Sequence, residues 1–128
     1  MRQRSVSVTS AAKPRDAFLE KTYVLLDDYE QDFGLDPEQA GESGVLLASD
    51  FLLETLGHEA SWERFDARTF GAFLRERVPP FAELLPAILA ALAGFFCFLC
   101  KRGIVTERRA STVVAATYLL VPARKRAA

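Results

Sequence analysis

Cys97 and Cys100 form a C-x-x-C pair, a spacing used by dithiol redox centres and by half of a zinc site. A redox pair wants an exposed thiolate at a helix N-terminus beside positive charge. These two cysteines instead close an apolar run among Phe96, Phe98 and Leu99, at a helix end whose dipole disfavours a thiolate. Zinc needs four ligands, and His58 is the one other soft donor in the chain. Both cysteines are therefore expected to be small buried side chains, with no metal, cofactor or disulfide framework.

The acidic run Asp27, Asp28, Glu30, Asp32, Asp36 and Glu38 has the composition of a calcium loop but not its spacing. Counted from Asp28, the position that needs Gly holds Phe33, and the twelfth position holds Gln39 in place of Glu. A solvated acidic face is expected, and it is the candidate acidic interaction patch. His58 beside Glu59 has no nucleophile near it in any motif, and no phosphate loop or hydrolase signature occurs. No catalytic residue is assigned, and the chain is read as not an enzyme.

The elements that carry these residues read as helices. Phe18, Thr22, Leu25, Tyr29 and Phe33 recur at helical spacing behind Asp16, a candidate N-cap, up to Gly34. Turn residues fill 35–44. A second helix is expected over 45–56, carrying Leu46, Leu47, Phe51, Leu53 and Leu56 and stopping at Gly57. Trp62 reads as a packing aromatic in a short loop. Asp66 caps a third helix with Phe70, Phe73, Leu74 and Val78 inward, ended by Pro79-Pro80. The fourth helix, 85–102, has a large face (Leu85, Leu89, Leu92, Phe96, Leu99) and a small one (Ala87, Ala90, Ala91, Gly94) that admits a close neighbour. Thr106 caps a fifth, with Val113, Val114, Thr117, Leu120 and Val121 inward. The fold class is all-α: a single compact bundle of about five helices around a hydrophobic central helix. A basic leader (1–15) is expected to be disordered, the helical domain covers 16–123, and a basic tail (124–128) follows.

Seventeen residues, 84–100, pass without a charge. A helix apolar all round must be enclosed by protein or by lipid. Its length of about 26 Å falls short of a roughly 30 Å hydrocarbon core. Burial in its own bundle is expected, with a membrane-associated helical protein as a remote alternative. The leader has no apolar core of the length a secretory signal needs, and two cysteines suit a reducing, cytoplasmic compartment.

The net charge of −1 hides an asymmetry. Residues 16–63 hold thirteen acidic side chains against Lys21, whereas 64–128 hold eleven basic against four acidic. The simplest consequence is that the two halves attract each other on folding.

The segment 65–105, with Leu92, Phe95, Phe96, Phe98, Leu99, Gly103 and Ile104 closing it, is similar to the end of the SAM-like core-binding domain of tyrosine recombinases. The resemblance covers about a third of the chain and includes no catalytic domain. It implies a small DNA-binding helical bundle. Pro79-Pro80-Phe81 departs from the pattern, standing where such domains place phosphate-binding side chains. Two functions follow as expectations. The favoured one is a non-catalytic protein-interaction or regulatory module acting through a protein partner or self-association. The alternative is nucleic-acid binding through Arg68, Arg75, Arg77, Lys101, Arg102, Arg108 and Arg109, which would weaken steeply with salt.

Overall fold

The computed structural model describes residues 14–119, and every described regular element is helical. Six helices follow one another: α1 (Pro14–Phe33), α2 (Glu42–Leu56), α3 (Ala67–Arg77), α4 (Pro79–Ala82), α5 (Leu85–Lys101) and α6 (Glu107–Leu119). Two single 3₁₀ turns, Gly57–Glu59 and Trp62–Arg64, join α2 to α3. The expected central helix is α5, which stops one residue short at Arg102. Leu120 and Val121, the leader up to residue 13 and the tail lie outside the described residues.

α1 is already helical at Pro14, so Asp16 lies within the helix and is not its N-cap. Its inner stripe is Thr22, Leu26 and Tyr29, with Phe18 and Leu25 half-buried. Phe33, which continues the same stripe, is about half exposed (51%), packing one side of its ring against Tyr29 and Phe98 at the edge of the core. Gly34, at φ 63°, ends α1, and the Leu35 amide reaches back to the Glu30 carbonyl at 2.9 Å, the six-to-one bond of a Schellman turn.

The next turn is locked by a reciprocal pair. The Asp36 amide donates to Gln39 Oε1 (2.9 Å) and the Gln39 amide to Asp36 Oδ1 (2.8 Å). α2 begins at Glu42, three residues ahead of expectation, and draws Gly44 into the helix. Gly44 and Gly41 explain the closeness of this segment to α5. A Cβ at Gly41 would stand 2.3 Å from the Ala91 methyl, and one at Gly44 would stand 3.2 Å from Ile88. Along α2 the core is filled by Val45, Ala48, Phe51, Leu52 and Leu53, while Leu46, Leu47 and Leu56 pack at its edge.

Asp66 caps α3 as expected, accepting from the Arg68 amide (3.2 Å) and from the Thr69 hydroxyl (2.6 Å). Phe70 and Leu74 are fully buried, with Phe73 and Val78 half-buried. The two prolines end α3 and start the single turn α4, since proline suits the first turn of a helix. α5 then passes through the centre, burying Leu85, Ile88, Leu89, Leu92, Phe95, Phe96, Phe98 and Leu99. Gly103, at φ 75°, ends it. Thr106 caps α6 by accepting from the Arg109 amide at 3.1 Å, and Ala110, Val113 and Ala116 face α5.

The core is aromatic. Trp62 stands edge-on to Phe95 (5.4 Å) and Phe96 (5.7 Å), and Phe65 links Phe51, Phe70 and Phe96 at 5.3–5.9 Å. The Trp62 indole N–H donates to the Thr22 hydroxyl (3.3 Å), which itself donates to the Phe18 carbonyl (3.0 Å). The indole N–H, buried in this cluster, is thereby satisfied. Among the described residues no helix is long and apolar enough to cross a membrane. The oppositely charged halves do meet. Arg102 bridges Asp28 and Asp32 at 3.2 Å each, and Arg77 pairs with Glu54.

Candidate interaction surfaces

Cys97 is exposed and Cys100 half-buried, so the expectation of two buried thiols is corrected. The physical reason is the register of α5. Its inward face is filled by Phe95, Phe96, Phe98 and Leu99, which leaves position 97 on the outward side. Near Cys97, burial pushes the Tyr29 phenol above its ordinary pKa, and Cys97 itself adds to the shift. His58 lies 3.9 Å from Glu59 with its ring largely in solvent. Among the described residues no group of three His, Cys, Asp or Glu is placed to hold a metal ion.

The acidic run does not form one surface. Asp28 and Asp32 are held by Arg102, whose guanidinium also lies over the Phe98 ring at 4.8 Å. Asp36 closes the turn with Gln39. Glu30 is turned toward Glu42, with one carboxylate oxygen enclosed and no N–H donor beside it. Burial and the Glu42 carboxyl push Glu30 up to about 6. Asp27 and Glu38 remain exposed.

The basic candidates are also divided. Arg77 and Arg102 hold carboxylates, and Arg109 donates to the Phe65 carbonyl at 2.8 Å. Arg68, Arg75, Lys101 and Arg108 are exposed and make no ion pair among the described residues.

Two surfaces emerge that were not assigned from the sequence. The first is the outward face of α5. Ala87, Ala90, Gly94, Cys97 and Lys101 of α5 are all exposed and follow one another at intervals of three, four, three and four, and Glu83, exposed in the turn before α5, precedes Ala87 by four residues. That is the 3.5-residue repeat of a helix-packing seam. Leu84 (50% exposed) and Phe81 (41%) flank its N-terminal end. There it adjoins a groove of about 930 Å³ shared with Glu38, Gln39 and Glu42. The small residues were legible. What the sequence concealed is that, among the described residues, they are approached on one side only, by the 37–41 turn, the first residues of α2 and the Tyr29 hydroxyl of α1.

The second is a groove of about 540 Å³ between α1, the 60–63 turn and the α5–α6 connection. Phe18, Leu25 and Trp62 line it, Val24 (58% exposed) and Ile104 (40%) form its lips, and Lys21 and Glu63 stand at the rim. The signal for it in the sequence is slight: Val24 and Ile104 fit no inward stripe. Glu63 is occupied elsewhere. One oxygen accepts from the Thr106 amide (2.8 Å) and the other from the Thr106 hydroxyl (2.9 Å). Those bonds, aided by Arg109, hold its carboxyl below the usual range.

Comparison with known proteins yields no match to a family model, a curated protein or a solved structure.

Proposed function

We propose that the chain is a non-catalytic helical interaction module that pairs with a second copy of itself through the outward seam of α5. The observation that carries this reading is the exposed row Glu83, Ala87, Ala90, Gly94, Cys97 and Lys101. Its spacing reads the same from either end, with residue 92 at the midpoint. Two copies crossing antiparallel about a two-fold axis therefore set seam against seam at every level. Glu83 meets Lys101 of the other copy, Ala87 meets Cys97, and Ala90 meets Gly94. This is the self-complementarity that an isologous interface requires. The charges agree with it, since a carboxylate starts the seam and an ammonium ends it. Antiparallel α5 dipoles attract as well. Small side chains let the two axes approach closely, and Leu84 and Phe81 supply the apolar border.

Light scattering across a concentration series tests the reading. A concentration-dependent dimer is expected, and Ala90→Arg should abolish it while circular dichroism stays native. Glu83→Lys and Lys101→Glu should each weaken association, and their combination should restore it. Mild oxidation separates the two orientations. An antiparallel pair keeps the two Cys97 residues apart but should crosslink Ala87→Cys to Cys97, whereas a parallel pair would join Cys97 to Cys97. A wild-type monomer at every concentration overturns the proposal.

The recombinase resemblance leads to a competing reading, DNA binding. Its support is the four cations Arg68, Arg75, Lys101 and Arg108, which make no ion pair among the described residues. They are fewer than the seven expected, because ion pairs and a backbone carbonyl occupy the other three. Retardation of duplex DNA that falls steeply as salt rises would favour this reading over the first.

A further inference from the structure

The Trp62 groove lies on a different face from the α5 seam and has the makings of a small-molecule site. Its volume of about 540 Å³ is within the range of roughly 300–1,000 Å³ that ligand pockets occupy. Its floor is rigid. Trp62 is held by its hydrogen bond to Thr22 and by the rings of Phe95 and Phe96 behind it, and Phe18 closes one wall at 5.6 Å from the indole. Val24 and Ile104 leave apolar surface in water at the mouth, a cost that an apolar occupant would remove.

The rim decides the polarity of the occupant. Lys21 makes no ion pair among the described residues. On its own helix the positions three and four residues away are Ala17, Phe18, Val24 and Leu25, so no carboxylate stands where a helical salt bridge would form. Glu63, the acidic residue of the groove, has both oxygens engaged by Thr106. An ammonium facing an apolar groove, with the nearby carboxylate already committed, selects a ligand that brings its own negative charge.

We propose that this groove binds a single-chain amphiphilic carboxylate, its hydrocarbon against Trp62, Phe18 and Leu25 and its carboxylate at Lys21. The ligand class is an alkyl carboxylate of the fatty-acid type. Anchoring is apolar, and Lys21 supplies head-group selectivity of the size of an exposed ion pair.

Trp62 is the single tryptophan of the chain, so its fluorescence reports on the groove floor directly. Titration with decanoate below its micellar concentration should give a saturable change in that fluorescence. Decanol, uncharged and of equal chain length, should bind about fivefold more weakly. Lys21→Ala should erase the difference between the two ligands while leaving decanol binding unchanged. Ile104→Arg, at an exposed lip where folding is spared, should reduce decanoate binding at least tenfold with a native circular dichroism spectrum. Absence of saturation with decanoate, equal affinity for decanol, or full binding by Ile104→Arg overturns the proposal. Dimerisation through α5 is measured separately on Ala90→Arg, which should bind decanoate normally, so failure of one proposal leaves the other readable.

Discussion

The two faces of α5 solve opposite problems with one helix. Inward, Leu89, Leu92, Phe95, Phe96 and Leu99 are completely buried and meet a ring of other aromatics. Outward, Ala87, Ala90, Gly94 and Cys97 stay in solvent and offer little side chain to anything. The inward face gains its stability from area and shape, at about 25 cal/mol for each Å² of apolar surface removed from water. The outward face, with so little side-chain area, would offer a second copy chiefly closeness of approach. The difference teaches that a helix of uniformly high hydropathy need not be uniformly enclosed. Side-chain volume, more than apolarity, separates the face that builds the core from the face left open.

Truncation on the inward side should break this contrast most forcefully. Phe65→Ala empties a site walled by Phe51, Phe70 and Phe96 and should cost about 3–5 kcal/mol in chemical denaturation, enough to unfold a marginal domain. The same readout on Ala90→Arg should move by no more than about 0.5 kcal/mol at monomeric concentrations, because that position is exposed. If the two variants lost similar stability, the outward face would be part of the core.

Gly41→Ala ranks next. Its φ of 70° is strained for any side chain, and the new methyl would collide with Ala91 on α5. A loss of about 2–4 kcal/mol is expected. At this position the small side of α5 is packed against a turn of the same chain. Ala91→Gly in the same background should recover part of the loss, which thermal denaturation of the double variant would register.

Much of this architecture was legible. Asp66, Thr106 and Gly57 announced helix ends because capping is local chemistry that neighbouring residues decide. The large face of α5 was legible because five bulky residues at helical spacing leave no other way to be buried. The outward exposure of Cys97 was not, since periodicity gives the faces of a helix but not which of them lacks a neighbour. Phe33 shows the same limit, as its spacing continues a stripe that ends at the edge of the core. The seven cations and the acidic run illustrate a further limit. Arg102 finds Asp28 and Asp32 across some seventy residues of sequence, and Glu63 finds Thr106 across forty-three. Charge counts cannot foresee such pairings. They convert two candidate patches into the struts that hold α1 and the 60–63 turn against α5 and α6.

A smaller effect tests the local side of that distinction. Asp66→Ala removes the acceptor for the Arg68 amide and the Thr69 hydroxyl at the start of α3. A loss of about 1 kcal/mol is expected. It should be largely restored by Asp66→Asn and not by Asp66→Leu, because a cap needs an oxygen and not a charge.

The smallest expected effect concerns Glu30 and Glu42, where α1 and α2 present carboxyls to one another. With Glu30 pushed up to about 6, the folded protein holds a proton there that the unfolded chain, at the ordinary 4.5, gives up sooner. A folded pKa above the unfolded one contributes stability that is complete below about pH 4.5 and disappears as pH climbs through 6. Denaturation midpoints should therefore fall between pH 5 and 7 by an amount attributable to this pair. Glu30→Gln supplies a permanent N–H donor to Glu42 and should flatten that part of the profile, leaving the protein more stable than wild type at pH 7. Glu42→Gln should flatten it only in part, since burial, the largest cause of the Glu30 shift, remains. A midpoint that rises across the interval, or that keeps its slope in both variants, would show that the two carboxyls ionise independently and that the α1–α2 corner, like the outward face of α5, is open to water.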